Sequence, residues 1–304
     1  MDKTPRYRVR KLYDRNGQVA PHFLDDEFHS FCESWDKAMS DPNFAEIIER
    51  DLAAERLADD PLDQLAALAP NERVRTRFLK WLGFIDTRLN PWTTGGAIHF
   101  RPHWARVLML ALTMGDAAGL SDADLDALAA AAVFHDSRRK NPYLDTGHGD
   151  RAANYYAACC AQAAKDGGAG PLRFDPRAYL AMQWHDRDDA DGLRVISAAE
   201  DRDELPTSSS SRLKRAPLGK TSDAFQGMQG AELLLPDGLK AALPADADAD
   251  AATIYRIFKD ADGLDRIRLG SNGLDPRFLR FQYAHDALPL ARELLAESER
   301  ARDR

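Results

Sequence analysis

Five of the eight histidines fall between His99 and His185, and two of these, His135 and His185, are followed directly by aspartate. His99, His103 and His148 complete the group, and a carboxylate element, Asp260-Ala-Asp262-Gly-Leu-Asp265, comes later in the chain. Imidazoles and carboxylates contributed by several helices are how helical bundles build metal sites. Consecutive helical residues point about 100° apart, so the His135-Asp136 pair can reach a centre between neighbouring helices but not one on a single face. A carboxylate can also bridge two ions, and His148 and His185 would then serve the second. Taken singly, each residue has an ordinary role as a packed side chain or a helix cap. Their ordered combination is what points to metal chemistry.

Mixed imidazole and carboxylate donors suit one or two divalent transition-metal ions, Mn, Fe, Co, Ni or Zn, better than a dedicated Mg site. Such an ion lowers the pKa of a bound water and polarises a phosphoryl oxygen, so no protein nucleophile is needed. Arg106, Arg138, Arg139, Lys140 and Arg151 lie close in sequence to these elements and form a local positive collar suited to phosphate oxygens. Trp104 and Trp184 neighbour the candidate ligands and are candidates to wall the pocket.

Other chemistries find no support. Ser208 to Ser211 has no Gly-x-Ser-x-Gly context. There is no Gly-x-x-x-x-Gly-Lys loop and no Gly-x-Gly-x-x-Gly following a strand. Cys32 and the neighbours Cys159 and Cys160 have no CxxC spacing, and they read as reduced, mostly buried thiols.

The elements that must position these residues read as helices. Apolar residues at helical spacing run over Phe44 to Leu52 and Val74 to Ile85, with starts at Ser40-Asp41-Pro42 and Asn71-Glu72. A further stripe, Val107, Leu110, Ala111 and Met114, follows His103. Ser121 with Asp124 then caps a helix ending at His135. Helices are also expected over about 150–165 and 176–185, and a last core helix after the Ala-Asp alternation at 245–251, itself read as a solvated loop. Strand patterns are scarce, so the fold class expected is all-α, a helical bundle.

The order of motifs resembles the HD-domain superfamily of metal-dependent phosphohydrolases. The matching stretches are His103-Trp-Ala-Arg106-Val, Ala-Val-Phe-His135-Asp136-Ser-Arg-Arg, Asp145-Thr-Gly-His148-Gly-Asp-Arg, Trp-His185-Asp, and Lys-Asp260-Ala-Asp262-Gly-Leu-Asp265-Arg. They span about residues 95–290. The resemblance implies that His103, His135, Asp136 and Asp262 hold a first metal. It implies that His148 and His185 serve a second, with Asp136 bridging. Many members follow the His-Asp pair with a glycine-containing turn and then Lys or Arg, whereas Ser137-Arg138-Arg139-Lys140 follows here; Arg139 faces the site if the helix continues. Asp136, Arg139 and Asp265 are the candidate catalytic residues, with Asp265 one turn beyond Asp262 and placed to orient a ligand. Arg106, Arg138 and Arg151 are the candidate phosphate ligands. Asp260 is expected to cap or to face solvent, and His99 either joins the site from one turn before His103 or precedes the helix.

The chain has 304 residues and a formal net charge of −8, which argues against a long polyanion groove and so against long nucleic acid as a partner. Length suggests two domains or one with a large extension; the helical pattern and the resemblance together imply a helical extension over residues 1–94 and a metal-dependent phosphohydrolase domain over 95–304, with a flexible insert or lid near 187–224. No stretch approaches the roughly 20 apolar residues of a membrane span, and the start lacks the apolar run of a signal peptide. The expectation is a cytoplasmic phosphodiesterase or phosphomonoesterase acting on a small nucleotide-like substrate. A catalytically silent nucleotide-binding protein and a di-iron oxygenase on a similar scaffold stay open.

Overall fold

The computed structural model describes residues 62–89, 91, 99–139, 145–165, 171–201, 246–270 and 273–300. Among them are nine α-helices and three short 3-10 turns, with no strand. The chain is an all-α bundle. The helices are α1 (Glu72–Thr87), α2 (Arg101–Ala117), α3 (Asp122–Phe134), α4 (His148–Lys165), α5 (Pro176–Trp184), α6 (Asp189–Asp201), α7 (Ala251–Asp265), α8 (Gln282–Asp286) and α9 (Leu288–Arg300). The expected helix over Phe44 to Leu52, the basic start of the chain, Cys32, Lys140 and Ser208 to Ser211 lie outside the described residues.

Helices α2, α3, α5 and α7 pack on one another at the centre, with α1 and α9 against α2 and α4 against α5. The stripe read on α2 understates its burial. Every residue from Arg101 to Leu112 is buried, because a helix enclosed by neighbours on all sides has no solvent face. Alanine makes this possible in α3, where Ala127 and Ala129 to Ala132 let adjacent helices approach closely. Of the extension expected over 1–94, residues 62–89 share this core through Leu62, Leu65, Phe78, Trp81 and Ile85.

Helix starts follow their caps. Asn71 accepts the Val74 amide at α1, and Ser121 with Asp124 forms a reciprocal capping box at α3. Asp124 also receives the fully buried Arg177 guanidinium, which Asp175 grips from its other side. The Ala249 carbonyl and the amides of Asp248 and Ala249 join this network. Where it is described, the Ala-Asp run is therefore half-buried and not wholly solvated: Ala247 and Ala249 lie in the core, Asp246 and Asp248 are exposed, and Asp250 caps α7.

The insert expected near 187–224 is likewise corrected where it is described. Asp189–Asp201 is helical, because Ile196 and Ala199 recur at helical spacing and bury completely, and Asp188 accepts the Ala190 amide at its start. Residues 202–245 lie outside the described residues. No described helix is long and apolar enough to cross a membrane. Cys160 is buried, which pushes its thiol up to about 12, and it has no reactive character at neutral pH.

Candidate metal centre

Helix ends aim five elements at one point. His103 lies in the first turn of α2, His135 directly follows α3, His148 opens α4, His185 directly follows α5, and Asp262 lies in the last turn of α7. Helix ends suit this task, because their side chains leave the packed interface while their backbones remain fixed by it. Gly149 lets α4 approach α5 closely: a Cβ there would stand 2.5 Å from the Met182 carbonyl oxygen.

All four ring orientations are fixed by a hydrogen bond at Nδ1. His135 donates to the Ala132 carbonyl at 2.8 Å, His148 to the Asp145 carbonyl at 2.5 Å, and His185 to the Met182 carbonyl at 2.6 Å. His103 donates to Asp265 Oδ2 at 2.7 Å. Carbonyl and carboxylate oxygens only accept, so Nδ1 carries a proton in each ring, and where the ring is neutral Nε2 presents a lone pair.

Those lone pairs face each other. His103 Nε2 lies 3.0 Å from His135 Nε2, 3.4 Å from Asp136 Oδ2 and 3.5 Å from Asp262 Oδ1. His135 Nε2 lies 3.6 Å from Asp136 Oδ2 and 3.7 Å from Asp262 Oδ1. Donor atoms about 2.1 Å from one first-row ion stand about 3.0 to 3.4 Å apart; the spacings here, 3.0 to 3.7 Å, lie within a few tenths of an ångström of that. Across the same carboxylate, His148 Nε2 lies 2.9 Å from Asp136 Oδ1 and 2.9 Å from His185 Nε2. Asp136 thus gives one oxygen to each pair of imidazoles. Three overlapping groups, His99 with His103 and Asp136, His103 with His135 and Asp262, and His135 with Asp136 and His185, each bring ligand atoms within 4.8 Å of one another and could hold a metal.

The electrostatics suit cation binding. Burial alone would raise the Asp136 carboxyl, but Arg139, then His135 and His99, hold it well below the usual range. Burial also opposes ionisation of Asp262, yet His135 and His103 bring it down to about 2. Burial keeps His135 neutral, with a pKa of about 3. It lowers His148, assisted by Arg139, and it lowers His99 as well. His185 moves the other way: burial opposes the shift, but Asp136 and Asp186 raise it.

A pH dependence follows. For His99, His135 and His148 the folded chain binds a proton less readily than the unfolded chain, so their stability contribution is present above about 6.5 and is lost as pH falls below it. His185 has the opposite sign and offsets part of the loss. Burial also raises the Asp260 carboxyl to about 7, which, like His185, offsets part of the loss; thermal melts of metal-stripped protein should still show Tm falling between pH 6.5 and about 4.5. His135→Gln should flatten that slope; a wild-type Tm that stays level over the range contradicts the assignment.

Other residues land differently from expectation. Arg106 does not face a phosphate site: it is buried, donating from Nε (2.6 Å) and Nη2 (3.1 Å) to Asp265 and from Nη1 to Ser298. Its one-turn spacing from His103 put it on the right helical face, and α7 fills that face with Asp265. Asp265 is itself fully buried and positions His103 through Nδ1. Its other contacts are the guanidiniums of Arg106 and Arg268. Arg151 braces the turn before α4, contacting Asp145 and the Arg138 carbonyl, and Arg138 lies over the Tyr155 ring. The α3 helix does not continue to Arg139. Bonds from Ser137 to Phe134 and from Arg139 to Asp136 tighten it into a turn, which brings Arg139 to the centre by another route.

Trp104 packs on Phe100 within the core and does not wall the site; Phe258 does, 5.4 Å from the His135 ring and 5.8 Å from that of His185. Asp260 is buried and not solvent-facing: it accepts the Arg280 and Phe281 amides ahead of α8. His99 precedes α2 and still reaches the centre, its Nδ1 2.8 Å from Asp136 Oδ2. Two contributors escaped sequence reasoning. Arg268, one turn beyond Asp265, places Nη2 3.1 Å from His99 Nδ1. Asp186, whose only signal was adjacency to His185, accepts the Gly147 and Gly149 amides beside His148. Comparison with protein-family models, with curated proteins and with solved structures returned no match.

Proposed function

We propose that the protein is a metal-dependent phosphohydrolase of HD-domain type, cleaving a phosphoester in a small nucleotide-like molecule. One observation carries the reading: His103 Nε2 and His135 Nε2 are both acceptors, yet they stand 3.0 Å apart with their Nδ1 protons already committed. A shared cation relieves that opposition. His103, His135, Asp136 and Asp262 would hold it, and His148 and His185 border the other oxygen of Asp136. A divalent ion there supplies a water of lowered pKa and polarises a phosphoryl oxygen.

The chain's own groups supply the rest. Asp265 fixes the His103 ring, and backbone carbonyls fix the other three, so the donors are oriented before anything binds. Arg139 brings guanidinium charge beside Asp136 and His148, and Arg268 beside His99 and Asp265, both suited to phosphate oxygens. Phe258 closes the back of the cluster and keeps water from it. Asp262, with 27% of its side chain exposed, is the opening toward solvent. The acidic surround favours a small phosphorylated substrate over long nucleic acid.

The test is hydrolysis of bis-p-nitrophenyl phosphate, p-nitrophenyl phosphate and a nucleotide panel by chelator-free protein supplied with Mn, Co, Ni or Mg. Metal-dependent release of product, abolished by chelator, supports the reading. No hydrolysis with any metal, or oxygen consumption in place of hydrolysis, overturns it.

A further inference from the structure

The two halves of the centre differ in one respect. Around His103 Nε2 and His135 Nε2, the described groups are each other and carboxylate oxygens. Around His148 Nε2 there is a cation: Arg139 Nη1 lies 3.1 Å away and also 3.3 Å from Asp136 Oδ1. Its N–H groups donate to the two acceptors that a second metal ion would need. The arginine is 9% exposed, and its backbone is tied into the turn after α3 by the bond from its amide to the Asp136 carbonyl.

Charge points the same way. Carboxylates of the cluster are already answered by guanidiniums, Arg106 and Arg268 at Asp265, Arg139 at Asp136 and Arg187 at Asp186. Each further buried cation therefore adds a desolvation cost that fewer anions offset.

We propose that Arg139 occupies the second cation position, so that the resting protein binds one divalent ion tightly and the guanidinium does the electrostatic work of the other. This rests on the metal-binding reading above and specifies how many ions it involves. Arg139 spans the gap between Asp136 and His148 as a fixed cation, available to a phosphate oxygen at the same point.

The experiment is Mn(II) titration of the full chain, read by metal analysis after gel filtration and by electron paramagnetic resonance. Wild type should retain about one ion per chain with an uncoupled spectrum. Arg139→Gln should bind a second ion at least about 10-fold more tightly than wild type does, with a coupled two-ion spectrum. Adding His148→Ala to that variant should return it to about one ion. Arg139→Lys keeps the charge and should stay at about one, which separates charge from packing; circular dichroism confirms that each variant is folded. Two ions of similar affinity in wild type overturn the proposal and leave the hydrolase reading intact. A folded Arg139→Gln variant that still takes one ion also overturns it. No ion in wild type overturns the hydrolase reading itself, and this proposal with it.

Discussion

Replacing Asp136 with Ala should abolish phosphoester hydrolysis, with a fall of at least about 1,000-fold, and strip the bound metal from the purified protein. Among the described residues no other touches as many parts of the cluster. Its Oδ2 faces His99, His103 and His135, and its Oδ1 faces His148, His185 and Arg139. Removing it takes away the one anion shared by both halves and leaves Arg139 beside neutral imidazoles. Asp136→Asn keeps the volume and loses the charge, so it should lose metal nearly as completely. Retained metal in a folded Asn variant would mean that the ion is held elsewhere. Metal analysis of the chelator-free variants, paired with a hydrolysis assay, checks both parts.

The second large effect is expected at Asp265, which contacts the centre through His103. It lies at the centre of a buried group in which Arg106 grips both carboxylate oxygens, Arg268 approaches from one turn on, and His103 donates Nδ1–H. These neighbours hold its carboxyl well below the usual range: Arg106 first, then the His103 hydrogen bond and Arg268, all against burial. Asp265→Ala should cost about 3 to 5 kcal/mol, because it strands a buried guanidinium. It should also weaken metal binding by about 10- to 100-fold, because His103 loses the partner that sets its tautomer. The two effects separate in a double variant. Arg106→Met with Asp265→Leu removes the stranded charge and should recover most of the stability, while metal affinity stays low. Denaturant midpoints and metal titrations measure the two quantities independently, and recovery of both would contradict the positioning role.

The sequence placed the donors better than it placed their neighbours, and the reason is geometric. His103, His135, His148, His185 and Asp262 each fall at a helix end, and helix ends are marked by local signals: the Ser121 cap ahead of α3, the glycines around His148, the residues following apolar runs. All-α architecture follows from the same local signals. Pairings between distant elements carry no such signal. Arg106 faces its ligand's side of α2, but whether it meets phosphate or a carboxylate depends on α7, some 159 residues on. Arg139 needed a helix that continued, and the chain instead turns tightly after Phe134 and arrives at the same place. Phe258 reads as one more core aromatic until α7 is laid beside α3 and α5. The acidic stretch after His185 reads as loop because its charges are conspicuous, whereas the few apolar residues that dock Asp189–Asp201 on the core, Ile196 and Ala199, are spaced thinly among them.

The most direct test of the central claim is an anomalous difference map from crystals of the full chain grown with Mn(II) and collected across the metal edge. The account predicts a peak within about 2.3 Å of His103 Nε2, His135 Nε2, an Asp136 oxygen and an Asp262 oxygen. A map without a peak among those four side chains, or with its strongest peak elsewhere on the protein, would contradict it.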